Sequence, residues 1–238
     1  MIRSRREVIG LLAGSAAWWT ASALLHWSKA WAQDHSCVIR PEQTEGPYFV
    51  DERLERSDLR SDPSDGRVKS GTPLHLAVVV SRLSPEGCQP IEGAQVDIWH
   101  CDALGRYSDV DDPYFTTLGQ KFLRGYQLTD AQGRVRFLTI YPGWYPGRTV
   151  HIHGKVRTHP TERRGYAFTW QMYFPDPLTD QVHAGPPYAA QGPRRVRNAD
   201  DRIFRRGGDR LMLVPSPAPD GFTAVFMLAL DIPSTTRS

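Results

Sequence analysis

Phe122-Leu123-Arg124-Gly125-Tyr126-Gln127-Leu128-Thr129-Asp130-Ala131-Gln132-Gly133-Arg134-Val135-Arg136-Phe137-Leu138-Thr139-Ile140 is the stretch on which the fold turns. From Arg134 onward, polar and apolar residues alternate with a period of two, the spacing of a strand with one buried face. The run before Thr129 alternates more loosely. Between them, Thr129 to Gly133 reads as a hairpin connection, with Gly133 placed to take a positive φ.

The same reading extends in both directions. Residues 74–80 are apolar and β-branched, and residues 94–99 alternate strictly. Residues 150–156, 166–174, 211–214 and 222–232 add strand candidates. No window carries a long helical period, and 19 prolines and 20 glycines interrupt the chain too often for helices to dominate. The expected class is all-β: a β-sandwich core of antiparallel strands, with long wrapping loops and little helix. That domain is expected over residues 73–238, with the polar residues 33–72 wrapping it. Residues 176–209, rich in Pro, Gly and Arg, read as one long loop. The chain has no internal repeat and no second domain.

Residues 8–25 are apolar and uncharged, preceded by Arg3, Arg5 and Arg6 and followed by Ala30-Trp31-Ala32. This is the layout of an export signal over residues 1–32, with cleavage near Ala32. The alternative is a retained membrane anchor, for which the stretch is short. Ser4-Arg5-Arg6-Glu7-Val8-Ile9 resembles the twin-arginine type of signal, so the mature chain is expected in the periplasm or outside the cell, free of the membrane once the signal is removed.

The signal also accounts for the charge. The whole chain carries +3, from 29 basic and 26 acidic residues. Arg3, Arg5, Arg6 and Lys29 against Glu7 lie in the signal, so 25 of each sign remain beyond it. A neutral mature chain gives no electrostatic case for a nucleic-acid partner. A mean hydropathy of −0.45 excludes a multi-span membrane protein. Cys37, Cys88 and Cys101 all lie beyond the signal, where a disulfide can persist. One bridge is expected, with 88–101 favoured because the two flank a strand, and one thiol is left over.

The chemistry concentrates in residues 141–153. His151 and His153 are two apart, which in a strand puts both imidazoles on one face and within reach of one metal. Taken alone, His-x-His is a weak signal, and two surface histidines on an exposed strand face are the commoner reading. There is no Cys-x-x-Cys, His-Glu-x-x-His, Gly-x-Ser-x-Gly or phosphate-binding glycine loop to complete a different site. Two tyrosines stand nearby in sequence: Tyr145, after a Pro-Gly turn, and Tyr107, after Leu104-Gly105-Arg106.

Several blocks together resemble the intradiol ring-cleavage dioxygenases. They are Trp99-His100-Cys101-Asp102-Ala103-Leu104-Gly105-Arg106-Tyr107-Ser108, Arg124-Gly125-Tyr126-Gln127-Leu128-Thr129-Asp130, Gly133-Arg134-Val135, and the run from Pro142-Gly143-Trp144-Tyr145 to Arg148-Thr149-Val150-His151-Ile152-His153. The resemblance covers roughly residues 41–232. It implies one non-haem Fe(III) per chain, held by Tyr107, Tyr145, His151 and His153. It implies catalytic roles for Tyr145, for Arg148 and for Gln171 of Thr169-Trp170-Gln171-Met172-Tyr173. The implied reaction opens a catechol-type ring between its two hydroxyl-bearing carbons with O2, giving a muconate-type product. Thr44-Glu45-Gly46-Pro47-Tyr48 resembles a family segment near the substrate, which makes Tyr48 a candidate pocket residue. Only Pro146 and Gly147 separate Tyr145 from Arg148, so the pocket is expected to be more open than in members with a longer insertion there.

The residue types suit the metal independently of the family. Phenolate is a hard anionic oxygen donor that favours a hard cation such as Fe(III). A phenol of ordinary pKa near 10 ionises at neutral pH only beside a cation. The partners implied are a small aromatic diol and O2, with a homo-oligomer left open. A second reading is a secreted β-sandwich module that binds carbohydrate or a lignin-like polymer without catalysis, which has no need of this set of tyrosines and histidines. A zinc hydrolase fits poorly, because no carboxylate neighbours the histidines.

Overall fold

The structure is a computed structural model, described here for residues 37–158 and 165–232. The expected export signal lies outside the described residues. Residues from Cys37 onward form one compact unit.

The strands are β1 (Pro73–Ser84), β2 (Gly87–Pro90), β3 (Gln95–Trp99), β4 (Asp111–Asp112), β5 (Phe115–Thr116), β6 (Arg124–Leu128), β7 (Arg134–Ile140), β8 (His151–Arg157), β9 (Ala167–Tyr173), β10 (Ser216–Ala218) and β11 (Gly221–Leu230). One sheet runs β10-β11-β1-β2, with β7 also paired to β1; the other runs β6-β3-β8-β9. The connection before β7 turns tightly, with Gly133 at φ 71°, but it is not the expected hairpin: β6 pairs with β3 in the second sheet and β7 with β1 in the first, so the turn carries the chain from one sheet to the other. All pairings in the second sheet are antiparallel, whereas β1 and β11 run parallel in the first.

The two sheets face each other across one apolar core. β1 contributes Leu74, Leu76, Val78 and Val80, and β11 contributes Phe226 and Leu228. From the other sheet come Val96, Ile98, Ile152, Val156, Trp170 and Met172. These positions alternate along each strand because successive side chains point to opposite faces. Burying them is the main favourable term in folding.

Residues 37–72 run over the sandwich. Single bridges join Ile39 to Ala229 of β11, Glu55 to Tyr126 of β6 and Asp58 to Leu138 of β7. Gln43 donates its backbone N–H to Thr169 of β9. The segment therefore crosses the second sheet on its outer face and returns to the first.

Three other expectations are corrected. Residues 211–214 are not a strand. A 3-10 turn occupies Gly208–Leu211, and Met212 makes one bridge to Tyr173. Leu211 and Leu213 are apolar because both are core plugs, and Pro215 stops further pairing. Residues 176–209 are not one irregular loop. They hold the helix α1 (Asp176–His183) and short 3-10 turns, pinned by Arg194 to Asp176 at 2.5 Å and Asp180 at 2.8 Å. A proline in its first turn starts α1, but its 8 residues are too few for a periodicity to show. Finally, the disulfide joins Cys37 to Cys88, with Cα atoms 5.4 Å apart, and not Cys88 to Cys101. Cys101 is a buried free thiol in the cluster around Trp99 and Tyr107, whereas Cys88 lies on β2 at the edge of the other sheet.

Candidate metal centre

The site is built on the outer face of β8. Ile152 and Val156 point into the core, so His151 and His153 point the other way. That face is covered. The two histidines are only 2% and 1% exposed. Trp99, cross-strand from His153, stacks on its ring at 4.9 Å and 7°. The His151 Nδ1 donates to the carbonyl of Thr149 at 2.6 Å, which turns its Nε2 lone pair outward. That Nε2 lies 3.0 Å from Nε2 of His153. Burial pushes both imidazoles well below their ordinary pKa, so both are neutral and fit to act as ligands.

Tyr107 reaches the same space from a tight turn after β3. Asp102 organises that turn, accepting at 3.0 Å from the backbone N–H of Leu104 and of Arg106. Gly105 takes φ 78°, and a Cβ there would lie 2.2 Å from the carbonyl oxygen of Trp144. Only glycine lets the Tyr107 turn press against the loop that carries Tyr145. Tyr107 is 1% exposed and lies edge-on to Tyr145, with ring centroids 5.6 Å apart. The Tyr145 hydroxyl is 3.3 Å from Nε2 of His151. Burial raises both phenols far above the ordinary value of about 10.

Arg148 and Gln171 sit beside this quartet. Arg148 donates through Nη2 to Oε1 of Gln171 at 2.5 Å, and its Nη1 stands 3.3 Å from Nε2 of His151. Burial opposes its charge, but the neighbouring phenol of Tyr145 and carboxylate of Asp201 raise its pKa above the ordinary arginine value. Gln171 also donates to the carbonyl of Thr44 at 2.9 Å, tying the wrapping segment to the site. Tyr48 stacks on Tyr107 at 4.5 Å and 23°, and donates its hydroxyl to Asp112 at 2.7 Å. Burial, then that bond to Asp112, pushes the Tyr48 phenol up to about 12. A cleft of about 300 Å³ opens beside the quartet, lined by Tyr48, Leu104, Arg106, Asp112, Tyr114 and Tyr145.

Every site residue expected from the sequence is brought together here. Three others were not singled out. Trp99 and Arg124 lie inside the quoted blocks, and their burial is what those blocks encode. The Arg124 guanidinium, 3% exposed, bonds Ser108 and the carbonyl of Tyr48, locking the two loops that frame the site. Burial pushes its pKa down to about 10. Asp201, beneath Arg148, carries no local signal.

The donor set fits a hard cation. The Tyr107 hydroxyl is sealed from solvent, and no hydrogen bond of good geometry reaches it. A buried polar atom left in that state is costly, and a metal ligand is one way to relieve it. Two neutral imidazole nitrogens and two phenol oxygens face one another around it. Among the described residues, no three His, Cys, Asp or Glu side chains gather as a metal site.

Comparison with known proteins agrees with this geometry. A family model described as Dioxygenase matches residues 44–164. The protocatechuate 3,4-dioxygenase beta chain of Burkholderia cepacia is 39% identical over 145 residues, 56% of this chain and 60% of that one. A chlorocatechol 1,2-dioxygenase of Pseudomonas is 27% identical over 55% of this chain and 53% of that one. The chain thus spans little more than half the length of these curated relatives. Among solved structures, an intradiol ring-cleavage dioxygenase from Tetranychus urticae superposes with TM-score 0.70 at 30% identity, covering 82% of this chain and 95% of that one. The dioxygenase domain of a carbohydrate-binding fusion protein from Streptomyces sp. SirexAA-E gives TM-score 0.57 at 28% identity, covering 82% and 99%. Matched over half its length in sequence and nearly throughout its sandwich in structure, the chain belongs to the intradiol ring-cleavage dioxygenase family.

Proposed function

We propose that the chain is a non-haem Fe(III) dioxygenase that opens a catechol-type ring between its two hydroxyl-bearing carbons. The convergence of Tyr107, Tyr145, His151 and His153 around one buried space carries this reading. A ferric ion bound there would stabilise phenolate and catecholate oxygens and make the bound ring reactive toward O2. In the balanced reaction one carbon–carbon bond breaks and both atoms of O2 enter the product, one at each new carboxylate.

The chain's own residues divide the remaining work. Tyr107 is fully buried and stays fixed, whereas Tyr145 is half-buried on the cleft. Held as a phenolate by a bound cation, Tyr145 would be the one of the two able to swing out and accept a substrate proton on its oxygen. Arg148 stays charged and presents Nη1 to the space where negative charge develops on the ring. Gln171 braces that guanidinium. Tyr48 and the cleft receive the rest of the ring, and the cleft leaves room for substituents. A binding module accounts for such a cleft but not for four donors sealed beneath it.

The same proposal sets the mature chain in an oxidising compartment. The signal-like residues 1–32 and the Cys37–Cys88 bridge support it. Among the described residues no helix is long and apolar enough to cross a membrane.

Metal analysis with visible spectroscopy and oxygen uptake tests the reading. One iron per chain, a burgundy tyrosinate-to-iron band and O2 consumption with a diol panel are expected. A colourless chain carrying full iron overturns it.

A further inference from the structure

The Arg148 guanidinium has three nitrogens, and the fold disposes of two. Nη2 is held by Gln171. Nε donates to Oδ2 of Asp201 at 2.8 Å. Only Nη1 is left to point at the ligand cluster, 3.3 Å from His151. Because the guanidinium is planar, fixing two of its nitrogens fixes the aim of the third.

Asp201 is built for this task. Its side chain is 0% exposed. Its Oδ1 accepts from the backbone N–H of Ile203 at 2.6 Å and of Phe204 at 3.0 Å. Its Oδ2 accepts from the Thr149 N–H at 2.8 Å as well as from Arg148. The carboxylate is thus immobile before it meets the arginine. Its own segment is anchored from below. Asn198 donates to the carbonyl of Phe174 at 2.9 Å and accepts from the Thr149 hydroxyl at 2.7 Å. The short turn at Asn198–Asp200 therefore delivers Asp201 under the start of β8.

We infer that Asp201 is a positioning residue: it aims the Arg148 guanidinium into the site and holds it there. The inference rests on the proposed function for its kinetic consequence but not for its geometry. A carboxylate supplied from residues 176–209 makes that segment part of the active-site architecture, although the family model ends at residue 164. A buried charge with one partner removed is strongly destabilising, so the pair is also a mutual structural commitment.

The test is a double-mutant cycle on the iron-loaded full chain, with Asp201→Asn, Arg148→Gln and the double variant. Catechol is the probe, and kcat, KM, iron content, the visible band and Tm are read. Asp201→Asn is expected to lower kcat by about tenfold to a hundredfold, the range for outer partners of a site. KM, iron content and the visible band should stay near wild type. In the Arg148→Gln background the same change should cost kcat little. Wild-type kcat in Asp201→Asn overturns the inference, and so does a loss that multiplies in full with that of Arg148→Gln. A loss of kcat only in step with lost iron also overturns it. If Arg148→Gln does not fold, Arg148→Lys takes its place in the cycle. If the wild-type chain consumes no O2 with any diol, the proposed function fails and the cycle is read in Tm. Arg148→Gln should then lower Tm by stranding the carboxylate, and Asp201→Asn should restore part of it. No restoration overturns the positioning.

Discussion

Ile152 and His153 are neighbours on one strand, and both are sealed from water, at 0% and 1% exposure. What seals them differs. Ile152 is covered by the facing sheet, in a core that every alternating strand helps to fill. His153 is covered by pieces drawn from far along the chain: Trp99 stacked on it, Tyr107 edge-on to it, and the segment around Gly46 lying against it. The inner face of β8 is a consequence of a period of two. The outer face is an assembly of loops, each held by its own polar bonds. Stability should therefore reside mainly on one face of the strand and chemistry on the other.

The largest expected effect falls on the outer face. Tyr107→Phe removes an oxygen proposed as a ligand, so bound iron and O2 uptake should both collapse. The metal-free chain should fold as well as wild type or better, because the lost hydroxyl is buried without a good partner. Metal analysis and a thermal melt of the chelator-stripped chain check this. A large drop in metal-free Tm would mean that the hydroxyl is structural and the division between the faces is false.

Ile152→Ala is the mirror experiment. It deletes a fully buried side chain from the inner face and should cost about 2–5 kcal/mol of stability, from lost burial and the cavity left behind. Below its lowered melting temperature the variant should keep its iron band. Denaturant unfolding and visible spectra on the same sample separate the two readouts.

The two faces were not equally legible in the sequence. Arg134–Ile140 alternates cleanly and is a strand end to end, because a half-buried strand writes its burial directly into composition. Residues 211–214 are equally apolar, yet only Leu211 and Leu213 plug the core and the segment makes a single bridge, Met212 to Tyr173, since apolarity reports burial and not backbone partners. The residues that gather at the site were legible through ordered motif blocks. The His-x-His spacing fixed a shared face but not what covers it. Asp201 was out of reach, because a single carboxylate in a Pro- and Gly-rich stretch carries no periodicity. The bridge from Cys37 to Cys88 was missed for a related reason. Flanking one strand favoured Cys88 with Cys101, whereas the wrapping segment bridges β11 at Ile39, next to Cys37, in the same sheet as β2.

Acid should erode the stability of the metal-free fold through a group outside the tyrosine–histidine quartet. His100 is buried, facing the Cys101 carbonyl at 2.8 Å and the Thr139 hydroxyl at 2.7 Å. Burial pushes its pKa down to about 4 in the folded chain. The unfolded chain takes up that proton near pH 6.5 and the folded chain does not, so the unfolded state binds more protons across this window. Stability is full above about pH 6.5 and falls as pH drops toward 4, by about 3 kcal/mol from this residue alone. His100→Gln should flatten that part of the profile of ΔG against pH. An unchanged slope would assign the loss to other groups.

The smallest effect falls where the two regions meet solvent. Tyr48 stacks on Tyr107, yet its hydroxyl points away from the cluster to Asp112 on the β4–β5 hairpin. Tyr48→Phe keeps the stack and removes only that bond, which is partly exposed and worth about 1 kcal/mol. Iron content should not change. If the ring serves only to cover Tyr107, KM for every diol should stay near wild type. If the hydroxyl and Asp112 together set the cleft wall, KM should rise for substituted diols and not for catechol itself, because only a substituent reaches that wall. The ratio of the two KM values therefore decides whether the covering of the outer face ends at Tyr107 or extends to the substrate.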